Sequence, residues 1–314
     1  MRYYFAPMEG ITDSVYRALH HKYFPGIDRY YMPFLSPTMH RTLTHKESRE
    51  LPMADSVPFT AIPQVLTRNA GDFLWAANVC RDRGYTEVNL NAGCPSGTVV
   101  SKGKGAGLLR NTDELSRFLD EIFEKTPVSI SVKTRLGLEC PEEFVAILDI
   151  YNRYPIQELT VHPRVRKAFY KGDVDMEVFR YCVENSKNPI CYNGNLNSLQ
   201  EIENFSKDFP AVEAVMLGRG LLGDPGMLCS NGTTIEALEL FTDELLFTYV
   251  ELFGGARNAM FRMKENWSFL LCRFEGSEKL GKQLRKTTDI TEYRSICSKI
   301  LHTLPLSPSL RAQW

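Results

Sequence analysis

Cys94 stands between a glycine and a proline, directly after a polar run that begins at Asn89. Glycine and proline fix a bent backbone, so the thiol is held on a stiff polar loop. Residues 86–88 before the run predict a buried strand, and parallel α/β proteins meet ligands on the loop after such a strand. A thiol there is a candidate for chemistry, whereas a thiol in an apolar helix is inert. Cys94 is therefore either catalytic or structural.

Other polar residues stand where further strands are predicted to end. They are Glu9, Gln64, Asn91, Lys133, Arg135, His162, Arg164, Asn193 and Arg219. Taken singly, Lys133 could be an ion-pair partner and His162 a hydrogen-bonded core histidine. Recurrence on strand after strand favours one shared site at the mouth of a barrel.

The last two of these loops, residues 193–195 and 218–220, are rich in glycine. Loops after strands seven and eight are the usual phosphate site of a (β/α)8 barrel. Exposed backbone N–H groups and the guanidinium of Arg219 suit a phosphate monoester. A flavin mononucleotide (FMN) fits the span from there to Lys133 and Gln64, because a lysine stabilises the charge near N1 of the reduced ring.

The elements that must position these residues alternate between strands and helices. Strands are predicted over residues 3–8, 29–34, 59–66, 86–88, 128–134, 158–162, 189–192 and 211–217, and helices over 14–22, 70–83, 114–125 (capped by Thr112), 142–151, 175–185 and 198–205. Eight strands over about 220 residues predict an α/β fold of the (β/α)8 TIM-barrel type. Helical apolar spacing then predicts a small helical bundle. We therefore expect an FMN-binding catalytic barrel at 1–233 and a helical domain at 234–314.

Two polar segments have open interpretations. Residues 36–58 are predicted to make a long excursion over the barrel top, as a solvated loop or as part of a substrate contact. Residues 101–107 combine glycines with Lys102 and Lys104, and glycine-rich backbone can bring N–H groups to an anion. The P-loop spacing is absent, so this segment is predicted to be a flexible basic lid or a plain mobile loop.

Net charge, cysteine spacing and apolar runs limit the class of protein and its possible partners. The 314 residues carry a net charge of -1, so a nucleic-acid partner would have to meet a local basic face. None of the eight cysteines forms a CxxC pair, which predicts reduced thiols, no metal site and a cytoplasmic location. No run of about 18 apolar residues exists, so no membrane span is expected. No stable protein partner is evident.

The helical region has a cationic set with two interpretations. Its members are Arg257, Arg262, Lys264, Arg273, Lys279, Lys282, Arg285 and Lys286, with Trp267 and Phe274 nearby. They could form an RNA-binding face with stacking residues, or the ordinary solvated surface of a helical bundle.

The motifs resemble those of the tRNA-dihydrouridine synthases, in the same order. The matching segments are residues 6–13, Gln64, 89–95, 133–137, 162–164, 193–195 and 218–220. The block around Cys94 is highly specific, and the glycine-rich pieces are less so. The chain departs from the family at Asn195, where aspartate is frequent, and at Pro163 and Val165, where glycine and threonine are frequent.

The resemblance implies a reductase that converts uridines in tRNA to 5,6-dihydrouridine, with FMN as cofactor and NADPH as electron donor. It implies that Cys94 is the general acid that protonates uracil C5, while N5 of the reduced flavin delivers hydride to C6. It also implies that the helical domain binds tRNA, and that the target uridine leaves its stack to enter the barrel.

The resemblance further implies the residues of the site. Flavin contacts fall on Ala6, Pro7, Met8, Gln64, Lys133 and His162, ribityl-phosphate contacts on Asn193, Gly194, Asn195, Gly218 and Arg219, and uracil contacts on Asn91 and Arg164. Two other functions stay open at this point. One is an FMN-dependent TIM-barrel oxidoreductase acting on a small molecule, resembling the dihydroorotate dehydrogenases. The other is an RNA-binding protein that has kept the barrel without catalysis.

Overall fold

A computed structural model describes residues 1–307, and residues 308–314, the end of the predicted helical domain, lie outside it. The described chain forms two compact units. The first holds Met1–Pro7, Asp28–Asn195 and Phe205–Met216, and the second holds Met8–Ile27, Leu196–Asn204 and the chain from Leu217 onward. The domain boundary at 233/234 remains a prediction.

The first unit is built around one sheet of parallel strands. The strands are β1 (Arg2–Phe5), β2 (Arg29–Tyr31), β3 (Ala61–Ile62), β4 (Gln64–Val65), β5 (Glu87–Ala92), β6 (Ser129–Arg135), β7 (Leu159–His162), β8 (Ile190–Asn193) and β9 (Ala214–Leu217). Their order in the sheet is β3-β2-β1-β9-β8-β7-β6-β5-β4. Apart from β1 and β9, neighbouring strands in the sheet are consecutive in the sequence, as in a (β/α)8 barrel.

The two strands at the ends of this order, β3 and β4, are halves of one predicted strand separated by Pro63. Proline has no N–H for the ladder, so the strand is interrupted there. The carbonyl of Pro63 still accepts a hydrogen bond from the Asn89 N–H at 2.8 Å. The sheet therefore closes on itself, and with β3 and β4 counted together it is the predicted eight-stranded TIM barrel.

Helices alternate with the strands and then continue alone. They are α1 (Ser14–Tyr23), α2 (His45–Glu50), α3 (Ala70–Asp82), α4 (Gly97–Val100), α5 (Thr112–Lys125), α6 (Glu143–Tyr151), α7 (Met176–Asn185), α8 (Leu199–Asp208), α9 (Arg219–Gly223), α10 (Ile235–Phe253), α11 (Ala256–Leu270), α12 (Glu278–Lys286) and α13 (Ile290–Thr303). Short 3-10 turns cover Ala54–Ser56, Gly105–Arg110, Arg166–Ala168 and Leu271–Arg273. In the described part of the chain, no helix has both the length and the apolar character of a membrane span.

Asparagine side chains set the start of two barrel helices. The Asn69 side chain accepts a hydrogen bond from the Asp72 N–H at 2.9 Å and caps α3. The Asn111 side chain accepts from the Glu114 N–H at 3.2 Å and caps α5. Thr112, predicted as the cap, is instead the first helical residue. Asparagine caps better than threonine, so the cap lies one position earlier than expected and the helix begins two positions earlier.

The interior of the barrel has an apolar layer beneath a polar one. The apolar layer is Tyr4, Ala6, Tyr31, Ile62, Cys191, Ala214 and Met216, all buried. Side chains two residues apart on a strand share a face, so Gln64 follows Ile62 and Asn193 follows Cys191 into the interior. The polar layer thus lies toward the carboxyl ends of the strands, where barrels bind ligands.

Residues 36–58 take the place of the helix that would follow β2. Arg41 forms an ion pair of 3.2 Å with Asp72 in the first turn of α3. Beyond the other end of α3, Arg83 donates to the Ser48 carbonyl at 3.2 Å and also to the Leu51 carbonyl. The segment therefore runs along α3, and it is not the excursion confined to the barrel top that the sequence predicts. The polar composition of residues 36–58 did not indicate that they pack along α3 on the way from β2 to β3.

The second unit contains α1 and the helices from α10 onward. Asp13 caps α1 by accepting from the Tyr16 N–H at 2.9 Å, and the same carboxylate oxygen accepts from the Tyr249 hydroxyl at 2.9 Å. The Phe241 ring lies 5.4 Å from Tyr16 and 5.3 Å from Phe24, centroid to centroid. These contacts hold α1 against α10. After residue 234 the described chain is mostly helical, which confirms the predicted helices of this region.

Candidate active site

Four hydrogen bonds hold the loop that carries Cys94. The Asn91 side-chain oxygen accepts from the N–H groups of Gly93 at 3.1 Å and Cys94 at 2.9 Å. Ala106 N–H donates to the Cys94 carbonyl at 3.1 Å, and Arg135 Nε donates to the Gly93 carbonyl at 2.9 Å. The backbone is thus fixed on both sides of the thiol, while the Cys94 side chain stays half-exposed. This is the arrangement of a positioned, accessible thiol.

Gly105 packs directly against this loop. It adopts a φ of +57°, and a Cβ at this position would lie 2.9 Å from the Cβ of Cys94 and 3.0 Å from Val99 Cγ1. Only glycine combines that backbone with that contact. Residues 105–107 are buried together with Leu108 and Leu109, whereas Ser101 and Lys102 are exposed. The buried end of the segment is therefore anchored, and a basic lid or mobile loop stays a prediction for its exposed residues.

A chain of amide hydrogen bonds lines the polar layer. Gln64 Nε2 donates to Asn89 Oδ1 at 2.8 Å, and Asn91 Nδ2 donates to Gln64 Oε1 at 2.8 Å. Asn89 Nδ2 continues the chain to Ser131 Oγ at 2.9 Å. Both asparagines lie within β5, which runs to Ala92 and so extends past the predicted strand end at 88. The sequence analysis did not select Asn89 and Ser131, although each precedes a predicted site residue by two positions on a strand.

Lys133 is a desolvated cation at the centre of this layer. Its Nζ donates to Asn193 Oδ1 at 2.7 Å, and Asn193 Nδ2 donates to the Met216 carbonyl at 2.7 Å. Burial, and to a smaller extent Arg135, lowers the pKa of Lys133 to about 7, with Cys191 and Cys94 partly opposing the shift. Among residues 1–307 no carboxylate forms an ion pair with it. Such a cation is suited to an anionic ligand.

The side chains after β7 form a second polar cluster. Arg164 Nη1 lies 2.9 Å from His162 Nε2, and Arg164 Nη2 donates to the Gly172 carbonyl at 2.6 Å. Burial lowers the pKa of Arg164. The Tyr170 ring stacks on His162 at 6.1 Å, and the Arg135 guanidinium lies 5.3 Å from the Tyr170 centroid. Tyr170 is 46 % exposed, and sequence reasoning missed it because it lies eight positions beyond the strand.

The remaining predicted site residues are distributed over both units. Ala6 is buried in the apolar layer beneath the amides. Pro7 and the residues after β8, Gly194 and Asn195, belong to the first unit, whereas Met8, Gly218 and Arg219 belong to the second. Within the first unit, the structure brings together Gln64, Asn91, Cys94, Lys133 and Asn193. The functional roles of these five residues, and of the other predicted site residues, remain proposals.

The low pKa of Lys133 has a consequence for the flavin-free protein. Its folded pKa of about 7 lies below the ordinary lysine value, so between the two the unfolded chain binds more protons. The free energy of unfolding should then rise with pH from about 7 toward about 10.4. Thermal melts across this range should show the rise in wild type and lose it in Lys133→Met. The exposed Lys279→Met variant should keep it, and a rise that survives in Lys133→Met would assign it to another group.

A family model described as dihydrouridine synthase matches residues 4–266, which include the Cys94 loop, the amide chain and Lys133. The chain belongs to the dihydrouridine synthase family. This confirms the family and the enzyme class predicted from the motifs. The match also extends across most of α11, beyond the barrel strands.

Relatives and solved structures are consistent with this membership. The chain is 27 % identical over 225 residues to the tRNA-dihydrouridine synthase B of Pasteurella multocida, covering 71 % of this chain and 67 % of that protein. It is 26 % identical over 312 residues to the "Probable tRNA-dihydrouridine synthase" of Rhizobium leguminosarum bv. phaseoli, covering 95 % and 94 %. Morphinone reductase in complex with tetrahydroNAD is similar with a TM-score of 0.50 and 10 % identity, over 72 % of this chain and 85 % of that chain. At that identity the likeness shows the barrel fold alone.

Membership in the dihydrouridine synthase family implies a flavin and a nicotinamide-type reductant, and the site fits a flavin. The amide of Gln64, which both donates and accepts, matches the alternating donors and acceptors of a flavin ring edge. Lys133 provides a cation that lacks a carboxylate partner in the described chain. In the same part of the chain, no group of three His, Cys, Asp or Glu side chains is arranged to hold a metal ion.

Proposed function

We propose that this chain reduces uridines of tRNA to 5,6-dihydrouridine, with FMN as its flavin and NADPH as its electron donor. The observation that carries the proposal is the fixed, half-buried thiol of Cys94 beside a polar layer that contains Lys133, a half-buried lysine whose pKa is lowered by desolvation. The names of the relatives support tRNA as the substrate. The small-molecule alternative is not favoured by those names.

Three groups of residues are assigned to FMN. Gln64 and Lys133 would bind the polar edge of the ring, with His162 beside it, and Ala6, Pro7 and Met8 would back it. Asn193, Gly194, Asn195, Gly218 and Arg219 are assigned to the ribityl phosphate. Bound FMN supplies hydride to the uracil ring. Lys133 holds its proton more firmly once an anion lies against it, so flavin binding should raise its pKa above about 7.

The role of Cys94 is to give its thiol proton to C5 of the uracil. General acid catalysis needs the donor within hydrogen-bond reach of the reacting atom, and a fixed backbone keeps it there. Asn91 contributes by accepting from two N–H groups of the loop, which adds a positioning role to its predicted uracil contact. Arg164 is proposed to face the uracil from the cluster after β7.

Flavin reconstitution tests the proposal with two direct readouts. Protein incubated with FMN and desalted should be yellow and should oxidise NADPH when tRNA is present. Free uridine and orotate should give turnover far below that of tRNA. A protein that stays colourless after incubation with FMN would contradict the flavin assignment, and orotate turnover equal to that of tRNA would support the dihydroorotate-dehydrogenase-like alternative.

The cationic set of the helical region separates into paired and unpaired members. Arg262 forms ion pairs with Asp13 at 3.8 Å and Glu265 at 3.2 Å, so its charge is neutralised within the protein. Arg273 pairs with Asp224 at 3.3 Å, and Lys264 donates to the backbone carbonyls of Arg285 and Thr287 at the carboxyl end of α12. Lys279, Lys282 and Lys286 are exposed, have no ion pair in the described chain and follow i, i+3, i+7 spacing on α12. We propose this stripe, the α12 lysines, as the RNA contact of the helical unit.

Replacing all three α12 lysines with glutamate should weaken tRNA binding. Each lysine that neutralises a phosphate releases a counterion, so the triple variant should raise the KM for tRNA by roughly tenfold and flatten its salt dependence. Steady-state kinetics at several salt concentrations measures both. The matched control reverses three exposed lysines of the first unit, Lys125, Lys187 and Lys207. Equal effects in the two triple variants would mean that net charge alone, and no specific face, governs binding.

A further inference from the structure

A cavity of about 360 Å³ lies in the first unit beside the segment that packs on Cys94. Its polar lining is Arg68, Ser101, Gly103, Arg110, Asn111 and Glu114. Buried Leu115 and Phe118 also line it. The proposed roles of the flavin and uracil residues do not involve this cavity, which we call the Arg68–Arg110 cavity.

The cavity carries an excess of positive charge. Arg68 and Arg110 have exposed side chains, and neither forms an ion pair in the described chain. Glu114 is the single carboxylate among the lining residues. A Cβ at Gly103 would lie 3.1 Å from Arg68 Cδ, so the glycine lets the arginine side chain lie along the segment. Two guanidinium groups against one carboxylate favour an anionic ligand with several oxygens.

Side chains, and not the backbone, must bind that anion. The Gly103 N–H donates to the Val100 carbonyl at 2.9 Å, and the Gly107 N–H donates to the Lys104 carbonyl at 2.9 Å. These donors are engaged within the segment, so the backbone anion site that glycine-rich sequences suggest does not form here. The two guanidinium groups remain as the donors for an anion.

We propose that the Arg68–Arg110 cavity binds a backbone phosphate of the RNA substrate and docks the strand beside the catalytic loop. The cavity shares Gly103 and Gly107 with the segment whose Gly105 contacts Cys94, so a phosphate held there lies close to the reacting base in the fold. A chain with a net charge of -1 must meet RNA through such local cations. The proposal rests on the proposed function, since it assumes an RNA substrate.

Charge reversal at both arginines tests the proposal. With tRNA from cells lacking the gene as substrate, Arg68→Glu combined with Arg110→Glu should raise the KM for tRNA by roughly tenfold, with a much smaller change in kcat. The slope of log KM against log salt should fall by about one, the value for one lost phosphate contact. Glu114→Gln should act in the opposite direction and lower the KM. The KM for NADPH should not change.

Arg153→Glu is the matched control, because Arg153 is exposed, has no ion pair in the described chain and follows the carboxyl end of α6, away from the ligand end of the barrel. It should behave as wild type. An unchanged KM for tRNA in the double variant, or a raised KM for NADPH in place of tRNA, would overturn the proposal. If the double variant does not fold, Arg68→Gln and Arg110→Gln provide the same comparison. Wild-type protein that makes no dihydrouridine would instead overturn the proposed function.

Discussion

Cys94→Ala is expected to bind FMN and to let NADPH reduce the bound flavin as in wild type, while dihydrouridine formation falls by about 100-fold or more. The reason is that the thiol is proposed to supply only the proton to uracil C5. Asn91, Ala106 and Arg135 form their hydrogen bonds to the main-chain atoms of the loop. Removing the sulfur therefore leaves the loop in place. Flavin absorbance, NADPH consumption and mass spectrometry of tRNA nucleosides measure the three quantities separately.

The control for this variant is Cys140→Ala, which removes an exposed thiol. It should retain full activity. Cys94→Ser should lose nearly as much as Cys94→Ala, because a hydroxyl is a far weaker acid than a thiol. Full dihydrouridine formation in Cys94→Ala would remove Cys94 from the acid role and leave it a structural residue.

Lys133→Met is expected to weaken FMN binding by about 10- to 100-fold, the range for a lost hydrogen bond to a charged group. Methionine fills a similar volume but offers neither charge nor a donor to Asn193, which now accepts from Lys133 Nζ at 2.7 Å. Equilibrium titration of flavin-free protein with FMN, followed by flavin fluorescence, measures the loss directly. Activity should fall in parallel and recover partly at saturating FMN.

Lys125→Met serves as the control, since it removes an exposed lysine of α5. FMN affinity should also fall as pH rises above the pKa of Lys133, because the neutral amine is a weaker hydrogen-bond donor to the polar edge of the ring than the ammonium is. An FMN affinity that is unchanged in Lys133→Met at pH 7 would place the flavin elsewhere in the protein.

The barrel could be predicted because its strands and their terminal polar residues recur along the chain. Period-two alternation was a signal left unused, since it places Asn91 with Asn89 and Lys133 with Ser131 on one face. The strand ends were less predictable. The strand predicted to stop at residue 88 continues through Asn91, because inward polar side chains are satisfied by Gln64 and Ser131 across the ladder.

Contacts distant in sequence could not be predicted. The contact of Gly105 with Cys94 depends on how residues 101–110 fold back, and composition alone indicated mobility. The same limit applied to the helical cations: Arg262 and Arg273 are neutralised by Asp13 and Asp224, partners far away in sequence. Residue types left both an RNA-binding face and an ordinary solvated surface open, and only the fold distinguishes the paired cations from the exposed ones.

The most direct test is to incubate the purified, FMN-loaded protein and NADPH with tRNA from cells that lack the gene, and to map the product by mass spectrometry. We predict that one or more uridines gain two hydrogens, and that the gain disappears with Cys94→Ala while NADPH still reduces the bound flavin. tRNA that remains unmodified by a yellow protein that oxidises NADPH would contradict the account.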